Sequence, residues 1–222
     1  MSTPRGLLLD FGSVVSVSLF ERHRETERHL GLTPHSLTWQ GALAPETDSL
    51  WRAMLREEIS ERDYWAQRAL EVGEALGESG WDMATLIRRT RHVDPKAAVR
   101  PAMRALIAAA RTRGTRVGIL SNDLALFYGA EFLARTGLLE HLDAVIDATH
   151  TKVLKPDPRA YALALAALEL PAGDVLFVDD LFRNIAGAVK AGLQTQLFDL
   201  RDVAGNIAAV AARLQLPMGN SV

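Results

Sequence analysis

In the second half of the chain, short apolar runs alternate with segments whose apolar residues recur at helical spacing. That alternation predicts an α/β fold built on a parallel sheet. Residues 101–113 read as a helix with Pro101 in the first turn and Gly114 as its stop. A strand over 116–120 follows, then a helix over 124–135 closed by Gly137. Residues 143–147 read as a strand and 157–168 as a helix, and 175–178 form a buried strand. A helix over 185–191 ends at Gly192, a last strand covers 195–198, and a C-terminal helix completes the pattern. One further strand stands far upstream, in the run Gly6-Leu7-Leu8-Leu9.

Residues 17–94 have a different texture. They show no strand-like run, and their apolar positions keep a helical period. Thr33-Pro34 and Ser60-Glu61-Arg62-Asp63 predict helix starts, the second with a capping-box pattern. All four tryptophans, Trp39, Trp51, Trp65 and Trp81, fall in this segment, and packing in a small helical bundle is the preferred reading for them. The chain thus divides into a core of residues 1–16 and 95–222 and an inserted helical segment of 17–94.

Composition narrows the classes of function. The chain has 222 residues, 48% hydrophobic and 23% charged, as expected for a globular domain plus a smaller module. A formal charge of −2 gives no electrostatic case for a nucleic-acid partner. Cysteine is absent, which removes disulfides and thiolate metal sites. No apolar run approaches a membrane span, and the first strand is too short for a signal-peptide core. A cytoplasmic protein without a membrane partner is expected. The six histidines show no metal-ligand spacing and read as solvated or structural. No glycine-rich nucleotide-binding pattern occurs.

Four polar clusters lie at or beyond the ends of the predicted strands. They are Asp10, Ser121-Asn122, Lys155-Pro156 and Asp179-Asp180. Strand ends of this kind are where open α/β sheets place their ligands. A carboxylate such as Asp10 is a competent covalent nucleophile. Phosphoryl transfer also requires neutralisation of the equatorial oxygens, which Lys155 can supply as a charge and Ser121 and Asn122 as hydrogen bonds. Asp10, Asp180 and a carbonyl of the first loop offer oxygen ligands to Mg²⁺, with Asp179 in support. Asn184 reads as a residue that fixes the loop after the last pair. Phe20, Phe127 and Tyr128 are candidates to shape a pocket.

In order and spacing these clusters resemble the haloacid dehalogenase (HAD) superfamily. The resemblance runs from Leu7 to about Leu197, through Leu7-Leu8-Leu9-Asp10-Phe11-Gly12-Ser13-Val14, Gly118-Ile119-Leu120-Ser121-Asn122, Lys155-Pro156-Asp157-Pro158 and the stretch Phe177-Val178-Asp179-Asp180-Leu181-Phe182-Arg183-Asn184. It implies a Rossmann-like core with an α-helical cap inserted after the first motif. Within the superfamily the sequence is most similar to the branch of sugar-phosphate phosphatases and the N-terminal phosphatase domain of soluble epoxide hydrolase. The implied activity is Mg²⁺-dependent hydrolysis of a small phosphorylated substrate through a phosphoaspartyl intermediate on Asp10. Metal ligands are expected among Asp10, the Gly12 carbonyl, Asp179 and Asp180. Gly12 departs from the family pattern, which usually has an acid/base aspartate there. A positioned acid/base is worth roughly 10²–10⁴ in rate. Two alternatives remain open: a 2-haloacid dehalogenase using Asp10, and a non-catalytic binding protein. An apolar cap face also leaves a dimer open.

Overall fold

Five short strands lie in one fully parallel sheet, in the order β3-β2-β1-β4-β5. They are β1 (Gly6–Leu9), β2 (Arg116–Ser121), β3 (Ala144–Asp147), β4 (Val175–Asp179) and β5 (Gln194–Leu197). The computed structural model describes residues 2–90 and 95–216. The central strand is buried on both faces, so β1 reads as an unbroken apolar run rather than an alternating one. Its side chains still alternate. Leu7 and Leu9 join Val117, Ile119 and Val178 in one apolar cluster, whereas Leu8 joins Leu120, Tyr161 and Phe177 in another.

Helices fill the connections. Between β1 and β2 lie α1 (His23–Leu30), α2 (Ser49–Leu55), α3 (Glu61–Ala75), α4 (Met83–Thr90) and α5 (Pro101–Thr112). After β2 come α6 (Leu124–Tyr128), α7 (Phe132–Thr136), α8 (Ala148–Thr151), α9 (Pro158–Leu168), α10 (Phe182–Lys190) and α11 (Val203–Arg213). Among the described residues, no helix is long and apolar enough to cross a membrane.

The helical segment leaves the core and returns to it side by side. Ser16 and Val99 form an antiparallel bridge, Val17 N–H donates to Ala98 O at 2.9 Å, and Arg100 N–H donates to Val15 O at 3.0 Å. Asp94, the last residue of the expected insert, lies outside the described residues, as do Arg91 and His92. Inside the segment, Phe20 stacks on Trp65 at 5.2 Å and meets Trp51 and Trp39 edge-on at 5.3 and 5.8 Å. Trp81 lies so close to Gly73 that a Cβ there would come within 2.7 Å of the indole. Helix α3 begins on the expected capping box: the Ser60 hydroxyl accepts from Asp63 N–H, and the Asp63 carboxylate accepts from Ser60 N–H.

Three expectations for individual elements are corrected. No helix follows Thr33-Pro34, because buried Glu27 accepts from the backbone N–H groups of His35 and Leu37 at 3.0 Å each and holds that stretch as a loop. The helix expected over 124–135 is two helices, broken at Gly129, whose φ of 86° and ψ of 153° no helix tolerates. Helix α10 starts three residues early, at Phe182, since Asp179 Oδ1 accepts from Leu181 N–H at 2.8 Å and satisfies the turn before it.

Candidate active site

Parallel register brings the ends of β1, β2 and β4 to one edge of the sheet. Leu9 pairs with Ile119 on one side and Val178 on the other, and Asp10 N–H donates to Val178 O at 2.9 Å. Asp10, Ser121 and Asp179 therefore converge, although they are remote in sequence. Lys155 reaches the same point from the loop before α9.

Lys155 is the hub. Its Nζ donates to Asp10 Oδ1 at 2.6 Å and to Asp179 Oδ2 at 2.7 Å, and its side chain is buried. The two carboxylates hold the ammonium above its usual range, against the opposing effect of burial. Burial pushes the Asp10 carboxyl up to about 7, while the Lys155 charge pulls the other way. Among the described residues Asp10 Oδ2 accepts no hydrogen bond, which leaves it the oxygen free to react.

The remaining predicted residues divide by function. Asn122 Oδ1 accepts from Lys155 N–H at 2.7 Å, and its Nδ2 donates to Lys155 O at 3.2 Å. Its amide thus positions the lysine loop, and Asn122 also lines the pocket. Ser121 is buried on the pocket wall, its hydroxyl accepting only a long contact of 3.4 Å from Asp123 N–H. Asp179 is fully buried, and its oxygens already accept from Lys155, Leu181 N–H and Asn184 Nδ2. Asp180 lines the pocket and has no hydrogen bond among the described residues, and burial first, then neighbouring Asp179 and Asp10, hold its carboxyl well above the usual range.

The loop after Asp10 is shaped around this point. Gly12 has ordinary extended dihedrals, φ −61° and ψ 132°, and Ser13 takes φ 60°. The Arg100 guanidinium donates to Ser13 O at 3.1 and 2.7 Å and fixes that turn. A Cβ added at Gly12 would meet only Asp10 Oδ2, at 3.5 Å.

The oxygens present suit Mg²⁺. Asp10 and Asp179 share a single ammonium and Asp180 adds a third carboxyl to the pocket, more acid than one cation balances, which a dication would offset. Asn184 Oδ1 is buried beside the pocket with no partner, and its Nδ2 is already committed to Asp179. Among the described residues no three His, Cys, Asp or Glu side chains form a ready-made cage.

Sequence reasoning missed several pocket residues. Glu61, in the first turn of α3, lines the cavity opposite Asp10, and so do Asp123, Trp51, Trp65, Met83 and Ile87. The capping box located the helix start that carries Glu61, but nothing in the local pattern shows which way that turn faces. Phe127 and Tyr128 do line the pocket, whereas Phe20 packs behind Trp51 and Trp65.

Comparison with known proteins agrees with this geometry. The profile of the haloacid dehalogenase-like hydrolases matches residues 21–192. A phosphatase of Mycobacterium tuberculosis is 34% identical over 99 residues, 45% of this chain and 46% of that protein, so the match spans about half of that relative. An (S)-2-haloacid dehalogenase of a Pseudomonas species is 29% identical over 164 residues, 70% of this chain and 71% of its own. Among solved structures, magnesium-bound YfnB of Bacillus subtilis superposes with a TM-score of 0.63 at 19% identity, covering 89% of this chain and 87% of that one.

Proposed function

The chain belongs to the haloacid dehalogenase-like hydrolases, and we propose that it is a Mg²⁺-dependent phosphomonoester hydrolase in which residues 17–94 form a cap over the reacting end of the core. The observation that carries this reading is the buried bridge from Lys155 to Asp10 and Asp179, which leaves Asp10 Oδ2 facing the pocket.

Asp10 Oδ2 attacks phosphorus in line with the ester oxygen. The new O–P bond forms as the P–O bond to the alcohol breaks, and the alkoxide takes a proton from solvent. Lys155 and the Ser121 hydroxyl offset charge on the equatorial oxygens, which is where catalysis of this transfer is mostly achieved. Asp10, Asp180 and the Gly12 carbonyl would hold Mg²⁺, with Asn184 Oδ1 as a further acceptor. Bound there, the dication neutralises phosphoryl charge and favours the ionised form of Asp10. Asp179 keeps Lys155 aligned, and Asn122 fixes the loop that bears it. Water then attacks the phosphoaspartate and releases phosphate. With glycine at position 12 this second step lacks the usual base, so turnover is expected to be slow.

A dehalogenase reading shares Asp10 and gains from halide leaving without a proton. The similarity to the Pseudomonas enzyme supports it. The acids around the pocket speak against it, because a 2-haloacid brings its own carboxylate beside Asp180, Glu61 and Asp123. Phosphate release from a phosphomonoester panel, with and without Mg²⁺, tests the first reading, with halide release from 2-haloacids measured in parallel. Mg²⁺-dependent phosphate release lost in Asp10→Asn is expected. Halide release with no phosphate release would overturn the proposal.

A further inference from the structure

The pocket lining is of two kinds. Asp10, Ser121, Lys155 and Asp180 bring the reacting groups, whereas Leu19, Trp51, Trp65, Met83, Ile87 and Phe127 are apolar; Ser16, Ser18 and Tyr128 add uncharged hydroxyls. The apolar wall is set before any ligand arrives. Trp65 is held between Phe20, at 5.2 Å, and Tyr64, at 5.0 Å, and Trp51 lies edge-on to Phe20 and to Tyr64. A rigid apolar wall loses little entropy on binding.

Charge sharpens the picture. Apart from the reacting groups, the charged side chains lining the cavity are Glu61 and Asp123, both acids. The arginines nearby are each paired with an acid, and of their nitrogens only Arg183 Nε is buried without a partner among the described residues. Arg62 pairs with Asp123 at 2.6 Å, Arg183 pairs with Glu61 at 3.3 Å, and Arg100 is bound to the Ser13 carbonyl and to Glu21. Among the described lining residues, Lys155 is the only cation, and Asp10 and Asp179 already occupy it. Among the described residues, a second phosphate or a carboxylate on the alcohol would meet no lining cation besides Lys155, and the further charged side chains it would face are the acids Glu61 and Asp123. Ionised, Glu61 and Asp123 repel such a group; protonated, they give it a hydrogen bond but no compensating charge.

We propose that the alcohol moiety of the substrate is an uncharged apolar group, aromatic or branched-aliphatic, and that the pocket discriminates against phosphomonoesters bearing a second anion. This rests on the hydrolase reading above. It narrows the substrate class by setting aside bisphosphates and phosphorylated acids in favour of phosphate esters of uncharged, largely apolar alcohols. Each additional methylene buried on the wall is expected to lower KM by about fourfold.

The test uses primary alkyl phosphates of matched leaving group: isoamyl phosphate, its counterpart ending in a carboxylate, and one ending in a second phosphate. All are assayed on the full chain with Mg²⁺ and on Asp10→Asn. Isoamyl phosphate is expected to exceed both anionic esters in kcat/KM by at least tenfold, with the difference lying in KM. Phe127, on the half-buried part of the wall, provides the tolerant variant: Phe127→Lys should shrink the gap to below threefold by giving the carboxylate a partner. Trp65→Ala should raise KM for isoamyl phosphate more than for the carboxylate ester. Equal or better use of the anionic esters, with release still dependent on Asp10, overturns this inference and leaves the hydrolase reading standing. Phosphate release indifferent to Asp10→Asn overturns both. If no ester is turned over, binding of isoamylphosphonate against 4-phosphonobutanoate, followed by tryptophan fluorescence with Mg²⁺, decides the inference by itself. Tighter binding of the apolar phosphonate supports it, and tighter binding of the carboxylated one refutes it.

Discussion

Asn122 grips Lys155 by both backbone groups, at 2.7 and 3.2 Å, across 33 residues of chain. The pair ties the loop after β2 to the loop before α9, so the position of the ammonium depends on an amide that does not touch it. Asn122→Ala removes both bonds. Each is worth about 1 kcal/mol, so the melting temperature is expected to fall by roughly 4 °C or more. A misplaced lysine also costs catalysis, and kcat should drop by about tenfold or more with KM changing less. Steady-state kinetics beside a thermal melt checks this; an unchanged kcat would show that the lysine loop holds its place unaided.

Position 12 offers a gain-of-function test. The backbone there is compatible with any residue, and a new Cβ makes only one ordinary contact, with Asp10 Oδ2 at 3.5 Å. Gly12→Asp is therefore expected to fold and to restore the missing proton transfer. Hydrolysis of the phosphoenzyme, read in single-turnover experiments, should accelerate by roughly 10². A rate no higher than the parent's would mean that another group already serves as base.

Asp180 gives a paired prediction of opposite signs. Its carboxyl is held above the usual range by burial and by Asp179 and Asp10, so in the absence of metal its charge opposes folding. Without Mg²⁺ at pH 7, Asp180→Asn should melt no lower than the parent. With Mg²⁺ at a hundred times its Kd, the parent should gain about 2.7 kcal/mol and the variant much less. Equal Mg²⁺ stabilisation of both proteins would remove Asp180 from the metal site.

His23, in the aromatic cluster behind the pocket lining, makes stability depend on pH. It is buried with Nε2 unpaired, edge-on to Trp39 at 4.3 Å, and burial drops its pKa from 6.5 to about 4. Between those values the unfolded chain binds a proton that the folded chain refuses, so stability falls as pH falls through that window. Lowering the pH from 7 to 5 should cost up to about 2 kcal/mol from this group. His23→Phe should remove that increment, as measured by urea midpoints at the two pH values. A variant with the parent's pH dependence would assign the loss to other groups.

Much of the molecule was legible in one dimension because the signals are local. The apolar run before Asp10, the proline-led start of α5, the Ser60–Asp63 box and Gly137 each act within a few residues, and each lies where the pattern put it. The failures are tertiary in origin. Glu27 captures two backbone N–H groups eight and ten residues on and prevents a helix after Pro34. The grip of Asn122 on the backbone of Lys155, across 33 residues, likewise has no local signal.

By itself the sequence determined the strands and most helices, and the placing of Asp10, Ser121-Asn122 and Asp179-Asp180 at strand ends. Lys155-Pro156, expected at such an end too, stands instead beyond α8, which follows β3. Periodicity and turn chemistry are properties of neighbouring residues. Only the tertiary structure decided which of those clusters meet and what each side chain does there. Register on either side of β1 set Asp10 beside Asp179, and burial then made Lys155 their shared counter-ion. Most of the apolar lining, with Glu61, comes from the 17–90 stretch, whereas Asp123 and Phe127 follow β2, so the pocket joins two segments remote in sequence. Hydrophobic packing and Coulomb interactions act through space, and neither leaves a mark in the spacing of residues along the chain.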